Sequence, residues 1–240
     1  MRSLFPAFLF LIIVEVSGQK KHLVLQSDFG VKDGAVAAMK GVAVSVSDDI
    51  GIYDLTHEIP PYNIWEAACR LNQAASYWPK GTVFVSVVDP GVGSTRRSVV
   101  MKSRTGHYFV TPDNGTLTLV AEKMGVEELR LIDEHTNRLK GSAGSYTFHG
   151  RDVYAFTGAR LAAGIITFEQ VGPSISADVV RLPYQKPQLV NGVIKGTIEI
   201  LDIQYGNLWT NIGQKLLDEA GVQAGDTVAV SIVHEDRVRY

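Results

Sequence analysis

The sequence predicts an α/β protein, with a mostly parallel sheet covered by helices and then a small β domain. Three observations predict it. Short apolar runs alternate with helically periodic stretches from His22 to Ala163, the pattern of strands joined by crossover helices. Polar residues collect where the apolar runs stop, and open α/β sheets hold their ligands at such strand ends. Near Arg181 the chain turns proline-rich and then β-rich.

His22–Gln26 is a short buried strand closed by Ser27-Asp28-Phe29-Gly30. Ala35–Val46, rich in Ala, Val and Met, is a helix. Ile50–Leu55 is the next strand, and Pro60-Pro61 interrupts the chain before a helical stretch over Ile64–Tyr77. Thr82–Val88 is the clearest strand, and it runs straight into Asp89-Pro90-Gly91-Val92-Gly93. Strands at Ser98–Lys102 and His107–Thr111, a turn at Pro112-Asp113-Asn114-Gly115, and helices at Leu117–Lys123 and Val153–Ala163 complete a domain over residues 19–180. Residues 181–189 hold two prolines and read as a linker. Residues 190–240 form a small β domain, with strands in Gly192–Ile203 and Thr227–Val233. So few strands leave edges and one face uncovered, so this domain is either incomplete or finished by a partner chain.

With 240 residues, 45% hydrophobic and 20% charged, the chain has material for a sizeable core without disulfide or metal staples. A net charge of -2, with no long charge run, carries no electrostatic footprint for nucleic acid or an anionic membrane. Cys69 is the only cysteine, which excludes an intrachain disulfide and a cysteine-based zinc site. Its place in an apolar helical stretch makes it a buried thiol rather than a nucleophile. Residues 1–18 read as a signal peptide: Arg2, the apolar run Leu4–Val14, and Val16 and Gly18 at the -3 and -1 positions before Gln19. A secreted or periplasmic location follows, with no membrane association after cleavage; a first core strand or an uncleaved anchor is the alternative.

Asp28, Asp89 and the pair Asp113-Asn114 each close a strand. Each alone serves equally well as a turn-former, but several strand ends converge on one crevice. In the loop from Asp89 to Arg97, glycines let backbone approach a ligand and Pro90 fixes the turn. Asp89 can face Arg96 across that loop, and a surface ion pair would look the same in sequence. Neither a Rossmann fingerprint nor a P-loop spacing is present. His149 lies between Phe148 and Gly150 at a loop-to-helix junction, a candidate site residue whose bland reading is structural. The six histidines show no metal-ligand spacing, and Ser27, Ser94 and Ser145 sit in no nucleophile elbow. In the stretch from Asp202 to Trp209, Tyr205, Asn207 and Trp209 offer a stacking face and an amide for a purine, or form a plain β-turn.

Together these segments resemble the SAM hydroxide adenosyltransferase family, relatives of the SAM-dependent fluorinase and chlorinase. The resemblance rests on Ser27-Asp28-Phe29-Gly30, Thr56-His57-Glu58-Ile59-Pro60-Pro61, Val88-Asp89-Pro90-Gly91-Val92-Gly93, Pro112-Asp113-Asn114-Gly115, Thr147-Phe148-His149-Gly150-Arg151-Asp152 and Tyr205-Gly206-Asn207. These run in order through nearly the whole chain after the signal region. The resemblance implies attack of water on C5′ of S-adenosylmethionine (SAM), giving adenosine and L-methionine, with SAM as substrate and no cofactor. It implies that Asp89, Arg96 and His149 hold and polarise the water, the Asp89–His149 pair taking its proton. Asp28 would bind both ribose hydroxyls, Tyr62 pack over the sugar, Asp202 meet the methionine ammonium, Tyr205 stack on adenine and Asn207 hydrogen-bond it. It also implies a homotrimer with sites between subunits, and further C-terminal strands beyond Tyr240. Halogenating members replace the charged triad positions, so Asp89 and His149 speak against fluorination. SAM-dependent chlorination stays an alternative through the small residue Gly150, as does a non-catalytic SAM- or nucleoside-binding protein.

Overall fold

Leu23 and Leu25 point to one face of the first strand and Val24 to the other, and this two-residue alternation gives the central sheet two apolar faces. The computed structural model describes residues 21–234 and 237–239; the expected signal peptide lies outside them. Strands β1 (Lys21–Ser27), β2 (Ile50–Thr56), β3 (Val83–Val87), β4 (Ser98–Ser103), β5 (Tyr108–Pro112), β6 (Val126–Leu131) and β7 (Ser174–Ile175) form one sheet in the order β2-β1-β3-β5-β4-β6-β7. From β2 to β5 all pairs are parallel, and from β5 to β7 all are antiparallel. The class is the predicted α/β, but the sheet is mixed rather than mostly parallel. The reason is the link between β4 and β5. Four residues can close a hairpin but cannot carry a crossover.

Helices α1 (Ala35–Val46) and α4 (Phe156–Ala163) cover one face, and α2 (Ile64–Ala75) and α3 (Thr118–Met124) the other. Met39, Ala43 and Ala159 pack there against Leu23, Leu25 and Val85, while Leu71 and Val120 pack against Val24, Phe84 and Phe109. Asn63 caps α2, its Oδ1 accepting the Glu66 N–H at 3.0 Å. The helix expected at Val153–Ala163 begins earlier, as a wide π-helical turn over Gly150–Ala155 that runs into α4. Strands β6 and β7 were not read from the sequence. Strand β6 sets Glu127, Glu128 and Arg130 among apolar Val126, Leu129 and Leu131 near the sheet edge, and β7 is two residues long.

Beyond Arg181, two hairpins follow, β8 (Gln188–Val190) with β9 (Val193–Lys195) and β10 (Ile198–Asp202) with β11 (Asn207–Thr210). A short helix, α5 (Gln214–Glu219), and a third hairpin, β12 (Ile232–His234) with β13 (Arg237–Arg239), complete the described chain. The β-rich stretch expected over Thr227–Val233 is strand only at its end. Among the described residues of this region only Ile200 is fully buried, and it packs on Ala68, Cys69 and Leu119 of the larger domain. The Trp65 Nε1–H donates to the Ile198 carbonyl at 3.1 Å, and the Tyr184 hydroxyl donates to Glu122 at 2.6 Å. The region is thus attached through α2 and α3 and has no apolar centre of its own among these residues. No described helix is long and apolar enough to cross a membrane.

Candidate active site

Strands β1, β3 and β5 run in parallel, so Asp28, Asp89 and Asp113, just beyond their C-terminal ends, lie along one sheet edge. Strand β4 runs the opposite way and starts at that edge, Ser98 opposite Pro112, which brings Arg96 and Arg97 to it. The two arginines then part. Arg97 pairs with the buried Asp113 and donates to the Asp178 carbonyl at 3.0 Å. Asp113 also accepts the Val180 N–H at 2.8 Å, so this pair ties the chain near residue 180 to the sheet. Arg96 turns to Asp89.

Arg96 Nε donates to both Asp89 oxygens at 2.8 and 2.9 Å, and Nη2 lies 2.5 Å from Asp89 Oδ2. Arg96 Nη1 donates to Ser98 Oγ at 2.9 Å, and Nη2 lies 2.9 Å from Nδ1 of the buried His149. The guanidinium sits over the ring of the fully buried Tyr154, 5.6 Å from its centroid, a cation–π arrangement. The Tyr154 hydroxyl is 3.1 Å from Ser98 Oγ. Arg96 therefore lies between Asp89 and His149, and the three residues form a chain through the guanidinium. Burial opposes the charge of Arg96, but the hydrogen bonds and charge of Asp89 outweigh it and hold the group above its usual pKa. His149 is held below the ordinary histidine value, first by burial and then by the Arg96 and Arg138 charges against the opposing pull of Glu134 and Asp89. At neutral pH the imidazole is neutral.

Loop geometry makes this possible. Gly93 has φ +76° and lies where a Cβ would come within 3.2 Å of the Tyr146 carbonyl oxygen, a conformation glycine adopts without strain. The Asn114 Nδ2–H donates to the Val88 carbonyl at 2.8 Å and fixes the start of the Asp89 loop. Gly150 is hemmed in by Phe29 and Val87, with a Cβ placed 3.0 Å from Phe29 Cζ, so its small size has a packing cause.

A second group forms around Asp28, whose Oδ2 accepts the Tyr62 N–H at 2.8 Å. Tyr62 has φ +66° and an exposed ring, a strained backbone for a bulky residue. Buried His57 braces the same turn: its Nδ1 is 2.7 Å from Ser27 Oγ, its Nε2 is 3.1 Å from Asp54, and its carbonyl accepts the Gly30 N–H at 2.8 Å. Asp202, Tyr205 and Asn207 form a third group on the β10–β11 hairpin. Asp202 pairs with Asn207, accepts the Tyr205 N–H at 3.4 Å and accepts the Trp209 indole N–H at 3.2 Å. Among the described residues no hydrogen bond, ion pair or ring contact joins this third group to the other two.

Sequence reading did not single out Ser98, Tyr154, Glu134, Arg138 or the brace provided by His57. Ser98 and Tyr154 sit inside elements where they read as strand and helix core. The one available signal for Glu134 and Arg138 was an opposite-charge pair four residues apart.

A buried carboxylate–guanidinium–imidazole chain at the strand ends of an α/β sheet defines a class: α/β proteins that gather charged groups at the topological switch point. Residues 23–172 match the SAM hydroxide adenosyltransferase N-terminal domain, and the chain belongs to that family. It is 37% identical over 220 residues to an (R)-S-adenosyl-L-methionine hydrolase of Methanocaldococcus jannaschii, covering 90% of this chain and 75% of the relative. It is 31% identical over 224 residues to a fluorinase of an Actinoplanes species, covering 83% and 74%. The crystal structure of an uncharacterized conserved protein from Thermotoga maritima matches with a TM-score of 0.81 at 35% identity, covering 90% of this chain and 80% of that one.

Proposed function

We propose that this protein hydrolyses SAM by attack of water on C5′, releasing adenosine and L-methionine. The observation that carries the reading is the Asp89–Arg96–His149 chain at the sheet edge. The sulfonium is already a good leaving group, so the protein has chiefly to hold and polarise the water. In the reaction the water oxygen bonds to C5′, the C5′–S bond breaks, and sulfur keeps the electron pair as a thioether. One proton is released. Asp89 and neutral His149 have lone pairs to receive it, and the Arg96 charge favours hydroxide character in the nucleophile.

In this reading Asp28 binds the ribose hydroxyls, and the strained Tyr62 turn, held by Asp28, carries its ring over the sugar. Asp202 takes the methionine ammonium, Tyr205 stacks on adenine and Asn207 hydrogen-bonds it. The assembly proposed is a homotrimer in which those three residues complete a neighbour's site. Its support is their separate clustering on the exposed β10–β11 hairpin, where Tyr205 is 73% exposed. Export by residues 1–18 belongs to the same proposal and rests on the sequence alone.

Incubation of the purified protein with SAM, followed by chromatography for adenosine, tests the reaction. Adenosine is expected from the parent protein, with little from His149→Ala. Binding of SAM without adenosine in either would leave only a binding protein. A parallel incubation with chloride should give no 5′-chloro-5′-deoxyadenosine; its appearance would replace hydrolysis with chlorination.

A further inference from the structure

His149 has a neighbour that belongs to none of the motifs. Arg138 Nη2 lies 2.9 Å from His149 Nε2, on the opposite side of the ring from Arg96. The same Nη2 pairs with Glu134, four residues earlier. Arg138 Nη1 donates to the Ser145 carbonyl at 3.4 Å, and its guanidinium lies 5.2 Å from the Tyr146 ring centroid. The side chain is only 8% exposed. Its turn is pinned by buried Asn137, which donates to the Val171 carbonyl at 2.9 Å, and by the Leu139 N–H, which donates to the Asp152 carbonyl at 2.8 Å. Glu134 also reaches Ser98 Oγ, at 3.5 Å, and Ser98 receives Arg96. The Glu134–Arg138 pair therefore touches His149 directly and reaches Arg96 only through Ser98.

We propose that Arg138, anchored by Glu134, is a positioning residue for the reaction, fixing the plane of the His149 ring through Nε2. The inference rests on the hydrolytic reading for its consequence, though not for its geometry. A neutral imidazole has one lone-pair nitrogen, and two guanidiniums address the ring from opposite nitrogens. One of the two contacts therefore already sets N–H against N–H, and protonation makes the other do the same, with cations on either side. The charges that face the ring are Arg96 and Arg138, which oppose a proton there, and Asp89 and Glu134, which favour one.

The two partners of the pair should therefore move His149 in opposite directions, which a merely structural role would not do. In Arg138→Gln, the titration of His149, followed by nitrogen-15 NMR of the imidazole, should move to higher pH. The acid limb of kcat for adenosine formation should move with it, and kcat should fall about 10- to 100-fold with KM for SAM little changed. In Glu134→Gln the titration should move to lower pH. Arg138→Lys keeps the charge without the planar fork, so it should restore the titration but not the full kcat; it also serves if Arg138→Gln does not fold. An unmoved His149 titration in folded Arg138→Gln, or an unchanged kcat in Arg138→Lys, overturns the proposal. If the parent protein makes no adenosine while the titration shifts as described, the hydrolytic reading fails and the part of the proposal that concerns the reaction falls with it, while the positioning of the ring stands.

Discussion

His149 enters the site as a neutral ring because burial and two guanidiniums outweigh the two carboxylates that face it. Two expectations follow for pH. First, if neutral His149 is needed for turnover, kcat for adenosine formation should hold at neutral pH and fall on the acid side, below the ordinary histidine value of 6.5; a steady-state pH profile checks this. Second, the unfolded chain binds a proton on this histidine at pH values where the folded chain does not. Stability linked to it is therefore fully present above about pH 6.5 and is lost as pH falls through the lower folded value. His149→Ala should lower kcat by about 100- to 10,000-fold, the range of a lost acid–base group. Asp89, Arg96 and His149 were legible in sequence because each stands in a motif at a strand or helix end. Ser98, Tyr154, Glu134 and Arg138 were not, because their contacts arise only when β4, the π-helical turn and the 133–139 turn meet. That Arg96 lies between Asp89 and His149 was not legible either, because it depends on how the Asp89 loop and the 147–150 segment meet.

At the scale of elements, the sequence revealed strands and helices wherever periodicity was strong, as in β3, whose five residues are all buried. It failed at edges. Strand β6 is charged, β7 is short, and the β4–β5 hairpin needed its loop length weighed before its direction was assigned. The junction from the π-helical turn into α4 shows how tightly the site is backed by packing. Gly158 lies in α4 where a Cβ would come within 2.4 Å of Val85 Cγ2, a buried β3 side chain. Gly158→Ala should therefore destabilise the fold by about 1–3 kcal/mol through overpacking, measured as a lower denaturation midpoint with an unchanged denaturant slope. It should also disturb activity, because α4 continues the turn that starts at Gly150, next to His149. Cys69, by contrast, is an inert core residue. Burial, with the nearby Glu199 and Glu66, pushes its thiol far up in pKa, which agrees with the structural role its helical setting suggested.

For the whole molecule, the larger domain and the C-terminal region differ in kind. The first has a two-sided core. The second is held to it by Ile200, Trp65 and Tyr184 and exposes Ile203, Tyr205 and Leu208 on one hairpin. These exposed side chains are what the proposed assembly would cover. The proposed trimer should appear in sedimentation velocity as a species of about three chains. Asp202→Ala and Tyr205→Ala should raise KM for SAM while leaving that assembly intact. A monomer that turns over SAM at full rate would remove the inter-subunit site.

Where the nucleophilic oxygen goes tests the central claim most directly. SAM is turned over in water enriched in oxygen-18, and the products are weighed by mass spectrometry. Attack on C5′ predicts one heavy oxygen in the 5′-hydroxyl of adenosine and none in methionine, with the labelled product lost in His149→Ala. Adenosine without the label, or no adenosine at all, would contradict the account.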